Sequence, residues 1–349
     1  MIINLIITIF CIVIFFFVFK NIPKNKKQTR DNCNEPKKDM NLEVNAKKEI
    51  HKEKTHVISD LQKLSDYYSF GLSVQGKSHK KKPILPCQDY HAFGTINEQF
   101  HYAIVSDGAG SASNSHFGSK LACETLSKLL LKYLETIDPT DFKTKNEWYK
   151  DALSLFENTR IALENHSEEN EIDFDSLKCT MLLIIQTPLG ILSANIGDGR
   201  AGCLKSNKYY SLMVPFQTFV VGSTFFITSD NWDQFFRTDT FDITDPDALF
   251  AISDGCDDFS FLQKGPVPKH ELGVYDKVYK DARYDHNQPF PGFFDAFIGQ
   301  MKELVASNKK EDITMVTEEI IDLGIFKGKS IEGIQKEEDD KTMVMFFKA

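Results

Sequence analysis

Five short aspartate-bearing segments punctuate the 349-residue chain, and most of them are set against an apolar run that reads as a buried strand. In order they are Cys87-Gln88-Asp89-Tyr90, Val105-Ser106-Asp107-Gly108-Ala109-Gly110, Ala194-Asn195-Ile196-Gly197-Asp198-Gly199-Arg200, Ile252-Ser253-Asp254-Gly255 and Asp339-Asp340-Lys341-Thr342. A charge at the end of a buried strand is costly unless it is paired or coordinated. Carboxylates that converge from separate strands suit a hard divalent cation such as Mg²⁺ or Mn²⁺. An isolated Asp-Gly more often just makes a turn. One such segment would be read that way, whereas five in this order point to a shared site.

The intervening pattern says how they could meet. Strand-type runs occupy 67–75, 90–94, 100–106, 179–186, 190–196, 200–204, 248–253 and 343–347, with turn chemistry at Thr187-Pro188-Leu189-Gly190. Helical spacing of apolar residues covers 116–135, 148–166 and part of 289–309. Consecutive short strands with helices between them, without strict βαβ repetition, predict an α+β fold with largely antiparallel sheets. Acidic residues from the two halves then have to meet at one rim of the packed sheets.

Charge is unevenly distributed. The net charge is −9 overall, but +5 over residues 20–58 and −14 over 59–349. An acidic body argues against nucleic acid as a partner, because phosphate neutralisation needs a basic surface. The seven cysteines, at 11, 33, 87, 123, 179, 203 and 256, include no C-x-x-C pair and suit a reducing compartment. Residues 2–19 contain no charged side chain. As a helix they would span about 27 Å, close to the hydrocarbon core of a bilayer. A cleaved signal peptide is the rival reading, but here the basic residues Lys20, Lys24, Lys26, Lys27 and Arg30 follow the apolar run and none precedes it. The chain therefore reads as an uncleaved single-pass anchor (1–19), a basic polar linker (20–60) and a globular domain (61–349) held on the cytoplasmic side of the membrane.

From residue 67 to 349 these segments resemble the metal-dependent protein phosphatases of the type-2C, or PPM, family. Ala194-Asn195-Ile196-Gly197-Asp198-Gly199-Arg200-Ala201 is similar to that family's Ala-Asn-x-Gly-Asp-Ser-Arg-Ala element, Ser253-Asp254-Gly255 to its Ser-Asp-Gly, and Asp339-Asp340-Lys341-Thr342 to its closing Asp-Asn/Asp-x-Thr. The resemblance implies a central sandwich of two antiparallel β-sheets flanked by helices. It implies two Mn²⁺ or Mg²⁺ ions held by Asp89, Asp107, the Gly108 carbonyl, Asp254 and Asp339, with Asp198 and Asp258 at a third, weaker position. Asp340 would support the ligands without being one. The implied chemistry is attack on a phosphomonoester by a hydroxide bridging the two cations, with phosphoserine and phosphothreonine in proteins as substrates.

The departures are specific. This chain has Gln88 where Glu often precedes the first Asp, Ala109 where the family carries a proton-donating His, and no Arg in 71–89. The nearby cations are His79, Lys80, Lys81 and Lys82. His79 is the candidate proton donor, and His79 with Lys80 the candidate phosphate ligands; a surface His in a Lys-rich turn is the alternative. The loss of the usual acid also motivates a second functional reading, a catalytically weak sensor or scaffold on the same fold.

Overall fold

The strands that carry the aspartates are apolar at nearly every position because both of their faces are covered. In chain order the elements are β1 (His56–Ile58), β2 (Gln62–Leu64), β3 (Tyr67–Val74), α1 (Lys77–Lys80), β4 (Tyr90–Ile96), β5 (Phe100–Ser106), α2 (Ser115–Leu134), α3 (Lys145–Glu169), β6 (Met181–Thr187), β7 (Gly190–Ile196), β8 (Arg200–Lys205) and β9 (Lys208–Ser211). They continue with α4 (Trp232–Phe235), β10 (Arg237–Phe241), β11 (Ala248–Ile252), α5 (Asp257–Ser260), α6 (Pro291–Ala306), α7 (Asp312–Ile321), the hairpin β12 (Ile325–Phe326) and β13 (Lys329–Ser330), α8 (Glu332–Lys336) and β14 (Lys341–Phe347). This computed structural model describes residues 56–58, 62–64, 66–81, 85–141, 143–213, 224–262, 288–309 and 312–349.

One sheet has the order β1-β3-β14-β11-β8-β9, with β2 also pairing to β3; the other is β10-β7-β6-β5-β4, and neighbours in both are antiparallel. Side chains alternate between two cores along each central strand. On β5, Phe100, Tyr102 and Ile104 face a core shared with α2 and α3, whereas Ala103 and Val105 face the other sheet. On β14, Met343, Met345 and Phe347 pack toward α6 and α7, whereas Val344 and Phe346 turn inward between the sheets. The result is the expected four-layer αββα sandwich.

The flanking helices are placed by specific contacts. Thr144 and Glu147 form a reciprocal capping box at the start of α3, and Trp148, fully buried, donates from Nε1 to the Ser193 carbonyl of β7 (2.7 Å). On α2 the buried stripe runs through Ala122, Cys123, Leu126, Leu130 and Leu134, leaving Phe117 exposed and Leu121 and Leu129 half-buried. The helix is turned this way because Gly118 packs against the Leu177 backbone, where a side chain would collide with the Leu177 carbonyl.

Strand β1 lies within the stretch read as linker, so the folded sheet takes in 56–58. The apolar run 2–19 and the linker as far as 55 lie outside the described residues; no helix among the described residues is long and apolar enough to cross a membrane.

Candidate metal centre

Strand register delivers the acidic segments to one rim. Val74 is paired with Lys341, Ile252 with both Met343 and Arg200, and Tyr90 with Ser106, so β3, β5 and β11 end, and β4, β8 and β14 begin, at the same level. Carboxylate oxygens of Asp107, Asp198 and Asp254 come within 4.8 Å of one another there. Asp107 leaves β5 with its backbone tied to Thr180: its N–H donates to Thr180 Oγ1 (3.0 Å) and its carbonyl accepts from the Thr180 N–H (2.8 Å). The next residue, Gly108, passes beneath the first acidic segment, where a Cβ would sit 2.5 Å from the Gln88 carbonyl. Asp198 is reached through Gly197, whose φ of +115° favours glycine and whose Cβ would press on Thr180. After Asp254, Gly255 lies so close to the Asp340 carbonyl that a side chain would overlap it.

Asp89 is 2% exposed, and neither of its carboxylate oxygens has a hydrogen-bond partner among the described residues. The same is true of Asp198 Oδ1. Burial pushes the Asp89 carboxyl up to about 7, with the Asp340 charge adding to the effect. Asp107 and Asp254 are held well above the usual carboxylate range, first by burial and then by neighbouring carboxylates, Asp254 acting most on Asp107 and Asp198 most on Asp254. Burial also raises Asp198. Arg200 pulls Asp198 down, but its guanidinium is paired with Asp257 (Nε to Oδ2, 2.6 Å) and lies over the Phe261 ring. The centre thus brings together one buried and three half-buried carboxylates that repel one another, with Arg200 relieving only part of the charge on Asp198. An all-oxygen donor set of this kind fits a hard divalent cation.

The remaining candidates sort differently. Asp339 stands exposed at the mouth, outside the three-carboxylate group, with Oδ1 accepting the Asp340 N–H (2.9 Å); its charge is still felt by Asp89, Asp198 and Asp254. Asp258 is exposed and not part of the group, and its neighbour Asp257 is the one turned inward. The reason is local: residues 254–256 form a 3₁₀ turn, in which positions i and i+3 align, so Asp257 and not Asp258 follows Asp254. The Lys80 ammonium is engaged by Asp322. His79 is buried rather than a surface residue, and its Nδ1 lies 2.9 Å from Asp340 Oδ1. Gln88 donates from Nε2 to Ser115 Oγ (2.6 Å), and its buried Oε1 has no hydrogen-bond partner among the described residues.

A further polar chain braces the rim from below. Thr342 Oγ1 donates to Ser73 Oγ (2.8 Å), which in turn bonds His91 Nδ1 (2.8 Å), joining β14 and β3 of one sheet to β4 of the other two residues past Asp89. Ser253 and Thr342 also exchange bonds: the Thr342 N–H donates to Ser253 Oγ (2.9 Å) and the Ser253 N–H to the Thr342 carbonyl (3.0 Å). The Ser of Ser-Asp-Gly and the Thr of Asp-Asp-x-Thr are therefore fasteners between strands. His91 itself has no signal in the sequence beyond its place after Asp89, because its partner is distant along the chain.

An αββα sandwich whose rim gathers carboxylates in this way offers a site for hard divalent cations. The protein phosphatase 2C family model matches residues 75–308, and the chain belongs to that family of metal-dependent phosphatases. Among solved structures it is similar to a bacterial serine phosphatase (11% identity, 80% of this chain and 97% of that chain, TM-score 0.48). It is also similar to the serine/threonine phosphatase Stp1 from Staphylococcus aureus (12%, 83% and 97%, TM-score 0.47) and to RsbX in complex with magnesium (12%, 83% and 98%, TM-score 0.42). All three scores lie below 0.5, so the assignment rests on the family match. No curated protein matches the chain.

Proposed function

We propose that this protein is a membrane-tethered phosphatase that removes phosphate from phosphoserine and phosphothreonine in proteins, using two Mn²⁺ or Mg²⁺ ions. The observation that carries the reading is the convergence of Asp107, Asp198 and Asp254, with buried Asp89 beside them, where desolvation and neighbouring carboxylates hold these groups above the usual carboxylate range. Asp89, Asp107, the Gly108 carbonyl and Asp254 would hold the ions, with Asp339 closing the site from its mouth. Asp198 would serve a third, weaker position without Asp258. When bound, the cations activate water and neutralise phosphate charge as Lewis acids. The chain's own contribution is to fix the ligands: Thr180 clamps the Asp107 backbone, the Ser253–Thr342 exchange sets Asp254 against β14, and glycines 108, 197 and 255 permit the close approaches.

The tether and the cytosolic placement of the catalytic body rest on the charge pattern of residues 1–30. Full-length protein should stay in the membrane pellet on carbonate extraction; release of a shortened form into the extracytoplasmic fraction would contradict the anchor. For the metal centre, calorimetric titration of full-length protein with Mn²⁺ should show at least two ions bound per chain, and Asp107→Asn should lose most of that uptake. Absence of Mn²⁺ binding by the wild type would overturn the reading.

A further inference from the structure

We propose that Asp340 and His79 act as a carboxylate–imidazole pair, in which Asp340 positions His79 to protonate the leaving oxygen of the phosphomonoester. The inference rests on the phosphatase reading above and adds a positioning residue to it. Asp340 is 2% exposed and its side chain makes three hydrogen bonds: Oδ1 accepts from the Gly76 N–H (2.6 Å) and from His79 Nδ1 (2.9 Å), and Oδ2 accepts from the Gln88 N–H (2.6 Å). The donors come from the turn before α1, from α1 itself and from the residue preceding Asp89. One carboxylate therefore carries both the imidazole and the backbone leading into a metal-binding aspartate. Its neighbours are equally constrained, with Asp339 immediately before it and Gly255 packed against its carbonyl. A carboxylate that served only to fasten a turn would need one of these bonds.

Asp340 also decides which nitrogen of His79 is used. With Nδ1 donating to Oδ1, the ring presents Nε2, which has no hydrogen-bond partner among the described residues. The side chain retains 9% exposure, so it is set into the surface without being sealed off. The hydrogen bond to Asp340 is the main influence raising the imidazole pKa, opposed by burial and reinforced by the charges of Asp340, Asp339 and Asp89. The Asp340 hydrogen bond thus favours the protonated imidazole.

The step balances without a further reactant. The oxygen of water bonds to phosphorus, the bond from phosphorus to the seryl oxygen breaks with its electron pair on that oxygen, and the Nε2 proton moves to it. The products are the serine hydroxyl and inorganic phosphate, and the attacking water supplies the proton that recharges His79. General-acid assistance matters most for a poor leaving group such as a seryl alkoxide and least for p-nitrophenolate.

The test uses full-length protein in detergent with Mn²⁺, assayed on a phosphoserine peptide and on p-nitrophenyl phosphate. His79→Asn is the informative variant, because its amide N–H can replace Nδ1 on Asp340 while offering no second nitrogen. Phosphoserine turnover should fall by about 10²-fold or more, with a much smaller loss on p-nitrophenyl phosphate and little change in melting temperature. Asp340→Asn, which cannot satisfy donors on both oxygens, should show the same selectivity, and the double variant should be no slower than His79→Asn alone. Full phosphoserine turnover in His79→Asn, equal losses on both substrates, or additive losses in the double variant would overturn the proposal. If Asp340→Asn does not fold, Asp340→Glu replaces it and should show the same selective loss; unfolding of both would make Asp340 structural and refute its positioning role. Failure of the wild type on both substrates would refute the phosphatase reading instead.

Discussion

Replacing Asp89 by Asn should stabilise the metal-free protein while impairing its metal binding. Asp89 has a carboxyl pushed to about 7 by burial and by the Asp340 charge, against about 3.9 in an unfolded chain. A folded-state value above the unfolded one contributes stability that is present below the unfolded pKa and lost as pH rises through the folded one. The shift of about three units costs the folded apo-protein about 4 kcal/mol at pH 8 and about 1–2 kcal/mol at pH 5. Asparagine removes the ionisation, so in EDTA the variant should melt on the order of 10 °C above wild type at pH 8, with the gain falling to about a third at pH 5. Saturating Mn²⁺ should reverse the order, because binding to the folded wild type adds about 2.7 kcal/mol for each site at a hundred times its dissociation constant. Thermal melts of both proteins at the two pH values, with EDTA and with Mn²⁺, contain every term. A lower melting temperature for Asp89→Asn in EDTA at pH 8, or a gain that does not shrink at pH 5, would refute the electrostatic reasoning.

The brace beneath the site predicts an effect of the opposite sign. Burial lowers His91 to about 4, so its neutral form contributes stability present above the unfolded value of about 6.5 and lost toward pH 4. Between pH 8 and pH 5 the wild type should lose about 2 kcal/mol relative to His91→Gln, measured by urea unfolding at each pH; an unchanged difference would mean that His91 is not held neutral. At the rim, Gly255→Ala forces a methyl group into the Asp340 carbonyl. It should cost about 1–3 kcal/mol and most of the activity, whereas Gly328→Ala, at a hairpin glycine with open space around it but a positive φ, should cost stability alone. Equal activity losses in the two variants would argue against a special role for the Gly255 contact.

The parts of this molecule that could be read from its sequence were those whose physics is local. Asp107 and Asp254 follow apolar runs that can only be strands buried on both faces, so their position at a strand end, and the penalty for leaving them unpaired, was visible in one dimension. The same alternation-free runs located β5, β6, β7, β11 and β14 to within a residue or two. Strand β10 was not visible because Arg237-Thr238-Asp239-Thr240-Phe241 is polar and half-exposed at a sheet edge, where pairing with β7 alone makes it a strand. The choice of Asp257 over Asp258 turned on whether one turn is 3₁₀ or α, a difference that a run of Asp-Gly-Cys-Asp-Asp does not encode. The contact between Lys80 and Asp322 is not legible in the sequence, because the two lie more than two hundred residues apart along the chain. His79 could be suspected from its Lys-rich turn, but its burial against Asp340 depends on β3 and β14 being neighbours.

The measurement that bears most directly on the whole account is phosphate release from a phosphoserine peptide by full-length wild type and by Asp254→Asn, each titrated with Mn²⁺ and then treated with excess EDTA. The wild type should turn over only with Mn²⁺ and stop in EDTA, and Asp254→Asn should remain inactive at every Mn²⁺ concentration. Undiminished hydrolysis by the wild type in EDTA, or wild-type turnover by Asp254→Asn, would contradict a metal-dependent phosphatase centre built on this carboxylate rim.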